Sequence, residues 1–258
     1  MFEAYACGEQ DCIDVRHYDN GLFISLLYYG SLRAFISFDG DGGAEHALEL
    51  TSLLRAAKVS FPKNRLCVYF NYENRTLIAE IMNHVDFEPP YPNGFYYMSR
   101  EFVMDREHFA AKPSNVRLDV RPYEFMRTAD YAALVDASFT FASPPPNFSA
   151  NITGMAETLS KKVFNAFYDG NGLIGVYWLD NDNSTIEFIA VAPDRQRRGY
   201  GHIILSHAIE TVFSDPGKCA AKLYCVDWNE KGLAFYRKFG MLEKGHMQMM
   251  VVEDKING

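Results

Sequence analysis

The sequence predicts a mixed α/β fold, an α+β arrangement in which helices cover a sheet of parallel and antiparallel strands. Three observations carry that reading. A hydrophobic share of 48%, with 15% aromatic residues over 258 positions, supplies a filled core instead of a disordered chain. Short apolar runs bounded by Gly, Pro, Asn and Asp read as strands, and they alternate with segments whose apolar residues recur at helical spacing. The order strand, glycine-bearing loop, helix, strand, helix, strand occurs twice, which marks an internal repeat.

The first copy lies in residues 1–104. Ile13–His17 and Leu22–Tyr29 flank Asp19-Asn20-Gly21, a hairpin signal. Leu32–Phe38 is a further strand, followed by the loop Asp39–Gly43 and a helix over His46–Ala57. Leu66–Phe70 is a strand, Glu73–Val85 a helix with Leu77, Ile78, Ile81, Met82 and Val85 on one face, and Phe95–Phe102 a closing strand. Residues 105–115, charged and interrupted by a proline, are expected to be a linker. The second copy, 116–258, opens with strand Val116–Arg121 and helix Phe125–Phe139. A proline-dense loop over Thr140–Phe148 and helix Met155–Phe164 follow. Asn165–Tyr168 and Leu173–Leu179 are then two strands joined by a glycine turn.

The stretch from Ile186 to Phe213 organises this second copy. Ile186, Phe188, Ile189, Ala190 and Val191 read as a mostly buried strand closed by Pro193-Asp194. Gln196-Arg197-Arg198-Gly199-Tyr200-Gly201 comes next, then Ile204, Leu205, Ala208, Ile209 and Val212 at the spacing of one helical face. A loop of this kind leaves free backbone N–H groups at a helix start, where phosphate binds. Gly199 and Gly201 are expected to ease the turn and a close ligand approach, and Arg195, Arg197 and Arg198 are cationic donors suited to phosphate oxygens. The loop is neither a dinucleotide fingerprint, which wants three glycines, nor a P-loop, which wants Gly-Lys-Ser/Thr.

Gln196 to Gly201 resembles the Q/R-x-x-G-x-G/A signature of the GNAT superfamily of acyl-CoA-dependent N-acyltransferases. A second block, Asn229, Leu233, Tyr236, Gly240 and Met241, is similar to that family's N-x3-hydrophobic-x2-Y-x3-G-F run, with Met241 in place of the aromatic. Strand Leu223–Val226 lies between the blocks, in the family's order. The first copy then resembles a partial, degenerate GNAT unit, so the whole is expected to be two tandem units. Its loop Asp39–Gly43 carries acids and no arginine, which repels phosphate, and Met82 stands where the second copy has Tyr236.

The resemblance implies an N-acetyltransferase that moves an acetyl group from acetyl-CoA directly to a primary amine; the cysteine pattern and the lack of a visible targeting signal make the cytoplasm its expected compartment. It implies coenzyme contacts at Ile189, Ala190 and Val191 for the pantetheine arm, and at Gln196, Arg197, Arg198, Gly199, Tyr200 and Gly201 for the pyrophosphate. Tyr236 matches the family's general acid toward the departing thiolate, and a phenol is neutral and able to donate at pH 7. Glu187 shares strand parity with Ile189 and Val191 and is the expected base, with Asp227 as the fallback. The family's other carboxylate position falls on Tyr224. Asn229 opens a helix and either caps it or binds the coenzyme. Phe139, Phe141, Pro144–Pro146 and Phe148 are expected acceptor contacts, or an aromatic loop packed on itself. A non-catalytic acyl-CoA sensor and an enzyme for longer acyl groups stay open as alternatives.

Net charge of −8 argues against nucleic-acid partners, which need basic surface. The opening MFEAYACGEQD lacks a basic start and no apolar stretch reaches membrane-spanning length, so neither a signal peptide nor a membrane partner is expected. Cys7, Cys12, Cys67, Cys219 and Cys225 show no C-x2-C spacing, and the histidines no H-E-x-x-H, so no metal is expected. The identity of the amine and the oligomeric state are not legible.

Overall fold

A computed structural model describes residues 12–17, 23–28, 32–37, 46–60, 66–71, 75–87, 97–111, 116–139, 148–180 and 182–252. The chain forms two compact units, one of residues 1–100 with 245–258, the other of residues 101–244. The division falls differently from the expected one. The last strand returns to the first unit, and the expected linker 105–115 begins inside the second. Arg106 shows why: its guanidinium donates to the carbonyls of Lys218 (2.8 Å), Phe213 (2.9 Å) and Asp215 (2.5 Å), so this charged segment is fixed to the second unit.

In the first unit β1 (Cys12–His17), β2 (Phe23–Tyr28) and β3 (Leu32–Ser37) form an antiparallel meander. Helix α1 (Ala47–Ser60) leads to β4 (Leu66–Asn71), which lies parallel to β3, and α2 (Arg75–Met82) follows. The five paired positions from Leu32↔Leu66 to Ile36↔Phe70 zip β3 to β4 along nearly their whole length. Leu50, Leu54, Leu77, Ile78 and Ile81 from the helices pack on Ile36, Leu66, Val68 and Phe70. Met82 is 42% exposed, whereas the Tyr236 it was aligned with is buried. Loop 39–43 lies outside the described residues.

The second unit takes its strands in the order β5 (Tyr97–Asp105), β10 (Ala220–Val226), β9 (Thr185–Val191), β8 (Gly172–Asp180), β7 (Val163–Asp169), β6 (Asp119–Pro122). Helices α3 (Thr128–Ser138) and α4 (Ile152–Ser160) carry Tyr131, Val135, Met155 and Leu159 into one core layer with Phe164, Trp178, Phe188 and Ala190. Helices α5 (Tyr200–Phe213) and α6 (Glu230–Phe239) build the other layer, where Ile204, Leu205, Ile209, Leu233 and Tyr236 meet Phe102, Ile174, Ile186, Leu223 and Cys225. The expected helix Met155–Phe164 starts and stops earlier. Asn151 caps it by accepting from the Gly154 N–H at 2.9 Å, and Val163 and Phe164 are already paired with Leu179 and Trp178. The last strand, β11 (Leu242–Val251), pairs antiparallel with β4 from Met247↔Asn71 to Val251↔Cys67.

Candidate active site

Strands β9 and β10 part company almost at once. Their parallel pairing covers only Thr185 with Lys222 and Ile186 with Leu223. The pairing of β9 with β8 shifts register at the same level, Trp178 facing Phe188 and Leu179 facing Ile186, so Glu187 is the extra residue of a bulge. A bulge bends its strand and raises the local twist, which accounts for β9 leaving β10 there. Beyond it, β9 stays bound to β8 through alternate residues. Val176 faces Ala190, and the Ala192 N–H donates to the Ile174 carbonyl at 2.8 Å. A Cβ on Gly175 would collide with the Ala190 carbonyl oxygen, which therefore also points at β8. By alternation the backbone groups of Ile189 and Val191 face the opening. Of the three expected strand contacts, Ile189 turns its backbone N–H and carbonyl and Val191 its N–H to the opening, whereas Ala190 presents its own to β8.

The Val191 carbonyl accepts from Gln196 Nε2 and from Ser138 Oγ, each at 3.1 Å, so the Gln196 side chain holds the loop to the strand end. Arg195 is likewise committed: it pairs with Asp169 at 3.3 Å and Asp194 at 3.1 Å, which removes it from the expected phosphate donors. Arg197 and Arg198 are exposed and have no ion-pair partner among the described residues. The N–H groups of Arg197, Arg198, Gly199, Tyr200 and Gly201 have no acceptor among the described residues, while His202 and Ile203 donate back to the Gly199 carbonyl. Arg197 (φ 63°) and Gly199 (φ 87°) are both left-handed, a backbone form that turns successive N–H groups toward one anion. A non-glycine residue held there stores about 1–3 kcal/mol of strain, a common mark of a ligand clamp. Gly201 does not share the conformational requirement. It lies in α5, and a Cβ there would meet Phe235 at 3.5 Å and Val191 at 3.8 Å, both ordinary contacts.

Tyr236 is buried, its ring 5.4 Å from Phe102 and 5.2 Å from Phe235, centroid to centroid. Burial, with Cys225 nearby, pushes its hydroxyl pKa well up, so it stays protonated at neutral pH. No hydrogen bond joins that hydroxyl to another of the described residues. Asn229 is a cap: its Oδ1 accepts from the Gly232 N–H at 3.0 Å, leaving the amide NH2 as its remaining donor. Glu187 does not stay in register with Ile189 and Val191, because the bulge breaks the alternation on which the parity argument rested. Its carboxylate pairs instead with Lys162 at 3.0 Å, an ammonium that also lies 3.8 Å from Asp180. Phe139 and Phe148 both reach the Phe188 ring, at 4.5 and 5.7 Å, and Phe188 stacks on Trp178 at 4.4 Å. Phe141 and Pro144–Pro146 lie outside the described residues. His207, left unassigned by the sequence, joins an internal network with Tyr177 (2.9 Å), which also meets Thr211 (2.8 Å) and Asn165 (2.8 Å).

Residues 129–241 match the model of the Acetyltransferase (GNAT) family. This segment is a GNAT acetyltransferase domain. It spans the two sequence blocks, the parted strands and the loop of unbonded N–H groups, and it makes the chain an acyltransferase that works from acyl-CoA. Solved structures agree on the fold. A functionally unknown conserved protein from Staphylococcus epidermidis superposes with TM-score 0.66 at 14% identity, covering 98% of this chain and 97% of its own. A GCN5-related N-acetyltransferase from Kribbella flavida gives TM-score 0.59 at 13% identity over 93% and 90%. A tandem GNAT protein from the clavulanic acid biosynthesis pathway gives 0.58 at 10% identity over 92% and 80%. No curated protein matches the chain.

One order of elements occurs twice among the described residues. Strand, helix, parallel strand, helix recurs as β3-α1-β4-α2 and as β9-α5-β10-α6. Only the second pair of strands opens. β3 and β4 hold five paired positions where β9 and β10 hold two, so the first pair offers no free strand edge to a pantetheine arm. Among the described residues no group of three or more His, Cys, Asp or Glu could hold a metal ion, and no helix is long and apolar enough to cross a membrane.

Proposed function

We propose that the chain is an N-acetyltransferase that moves an acetyl group directly from acetyl-CoA to a primary amine. The observation that carries this is the opening between β9 and β10 beside a loop of unbonded N–H groups. The pantetheine arm would join the exposed edge of β9 through Ile189 and Val191, as an added strand does. The pyrophosphate would take the N–H groups of 197–201, with Arg197 and Arg198 adding charge and Tyr200 closing the helix start. The free amide NH2 of Asn229 would donate to the same coenzyme.

Tyr236 supplies the proton for the departing thiolate. Its buried hydroxyl is fully protonated at neutral pH, and among the described residues it has no competing acceptor. An N–H of β9 aimed at the thioester oxygen would steady the developing oxyanion, a contribution of about 3 kcal/mol where such donors have been removed elsewhere. The first unit is read as a degenerate GNAT-like partner without coenzyme chemistry, and the protein as cytoplasmic. Titration calorimetry with acetyl-CoA tests the reading: saturable heat at micromolar coenzyme is expected, and none up to high micromolar concentration would overturn it. Binding without thiol release across an amine panel would favour the sensor instead.

A further inference from the structure

The second unit holds a buried carboxylate that neither sequence block contains. Glu101, on β5, is 5% exposed. Its strand neighbours Phe102 and Met104 enter the core layer of α5 and α6, so by strand alternation Glu101 stands on the opposite face of the sheet. Tyr224 on β10 does the same, because Leu223 and Cys225 enter the α5–α6 layer. The Tyr224 hydroxyl donates to Glu101 Oε1 at 3.0 Å. Phe188 and Ala190 of β9 stand on that face too, among the residues of α3 and α4. Tyr224 is also the first residue of β10 beyond its last pairing with β9, so this carboxylate–phenol pair borders the mouth of the opening.

The charge balance is what makes the pair informative. A buried carboxylate needs a cation or several donors to offset its lost hydration. Among the described residues Glu101 has one neutral donor and no ion-pair partner. Lys222, two residues before Tyr224, attracts it from beyond ion-pair distance, and burial lowers the pKa of that lysine. Glu101 Oε2 therefore has no hydrogen-bond partner among the described residues, on the face where β9 and β10 part. We propose that Glu101 receives the ammonium group of the acceptor amine and takes its proton, with Tyr224 as the positioning residue that fixes the carboxylate. The N–H bond of the ammonium breaks and an O–H bond forms on Glu101, cancelling both charges. The freed lone pair attacks the thioester carbonyl, the C–N bond forms, the C–S bond breaks, and the thiolate takes its proton from Tyr236. Tyr236 regains a proton from the new amide nitrogen, and Glu101 releases its own to solvent. This assignment fills the base role at which Glu187 is tied to Lys162.

The inference rests on the N-acetyltransferase reading and is tested separately from it. Thiol release from saturating acetyl-CoA is measured with 2-phenylethylamine, 1,4-diaminobutane and lysine as probe acceptors. Glu101→Gln should lower kcat/KM for the amine by about a hundredfold or more, in the range of general base catalysis. Its acetyl-CoA dissociation constant and melting temperature should stay those of the wild type. Tyr224→Phe should raise the amine KM several-fold with a smaller loss in kcat, and Glu101→Asp should recover part of the Gln loss. Wild-type rates in Glu101→Gln, or equal loss of coenzyme affinity in both variants, overturn the assignment. A wild type that binds acetyl-CoA but releases no thiol with any probe also overturns it, since the carboxylate then has no ammonium to meet. Absence of acetyl-CoA binding would instead overturn the reading beneath it.

Discussion

Replacing Tyr236 by Phe removes one oxygen from a site whose packing is otherwise defined by Phe102 and Phe235. The lost hydroxyl bonds to nothing among the described residues, so no intramolecular hydrogen bond goes with it. With no such bond lost, the variant should melt within about half a kcal/mol of the wild type. Its chemistry should suffer: general acid catalysis is worth about a hundred- to ten-thousand-fold, or about 2.7–5.5 kcal/mol at 1.36 per tenfold. The assay pairs a thiol-release rate with a melting curve and an acetyl-CoA titration on the same preparation. A kcat down by that factor, with melting temperature and coenzyme affinity kept, is the expected outcome. A kcat within threefold of wild type, or a fall in melting temperature of several degrees, would refute the reasoning, because Tyr236 would then be a core residue alone.

The phosphate loop gives a contrast between its glycines. Gly199→Ala meets no steric obstacle but is forced into φ 87°, so it should lose about 1–2 kcal/mol of stability and weaken acetyl-CoA binding. Gly201→Ala should melt within about half a kcal/mol of wild type, as its Cβ meets only ordinary contacts; denaturant titration of both variants checks the pair. Arg197→Ala and Arg198→Ala should each weaken acetyl-CoA several-fold in calorimetry, and the deficit should shrink at high salt as screening removes the charge term from the wild type. His207 is held neutral by burial against Tyr177, Phe167 and Thr211, with Glu210 pulling weakly the other way. Its folded pKa lies below the unfolded one, so its contribution is fully present above about pH 6.5 and is lost as pH falls through the folded value. His207→Gln should flatten that acid-side decline in urea midpoints.

Much of the second unit was legible because its signals are local. Apolar runs bounded by turn residues marked β8 and β9, helical spacing marked α5, and Gly199 marked a turn that does need φ > 0. Asn229 was legible as a helix start for the same reason. What failed depended on partners distant in sequence. The parity that put Glu187 beside Ile189 holds only in a regular strand, and the bulge is a property of the pairing with β8. Arg195 reads as a phosphate donor until Asp169, from another strand, claims it. The compact units divide the chain elsewhere than the sequence suggests because β11 pairs with β4, a contact that spacing along the chain does not reveal. Glu101 was missed for the same cause: it lies in a strand assigned to the first copy, and its meaning comes from Tyr224, far along the chain.

A crystal structure of the wild-type protein grown with acetyl-CoA tests the central claim most directly. The account predicts the diphosphate within hydrogen-bond distance of the N–H groups of 197–201, and the pantetheine amides bonded to Ile189 and Val191. Coenzyme bound elsewhere, or β9 and β10 zipped together along their length as β3 and β4 are, would contradict it.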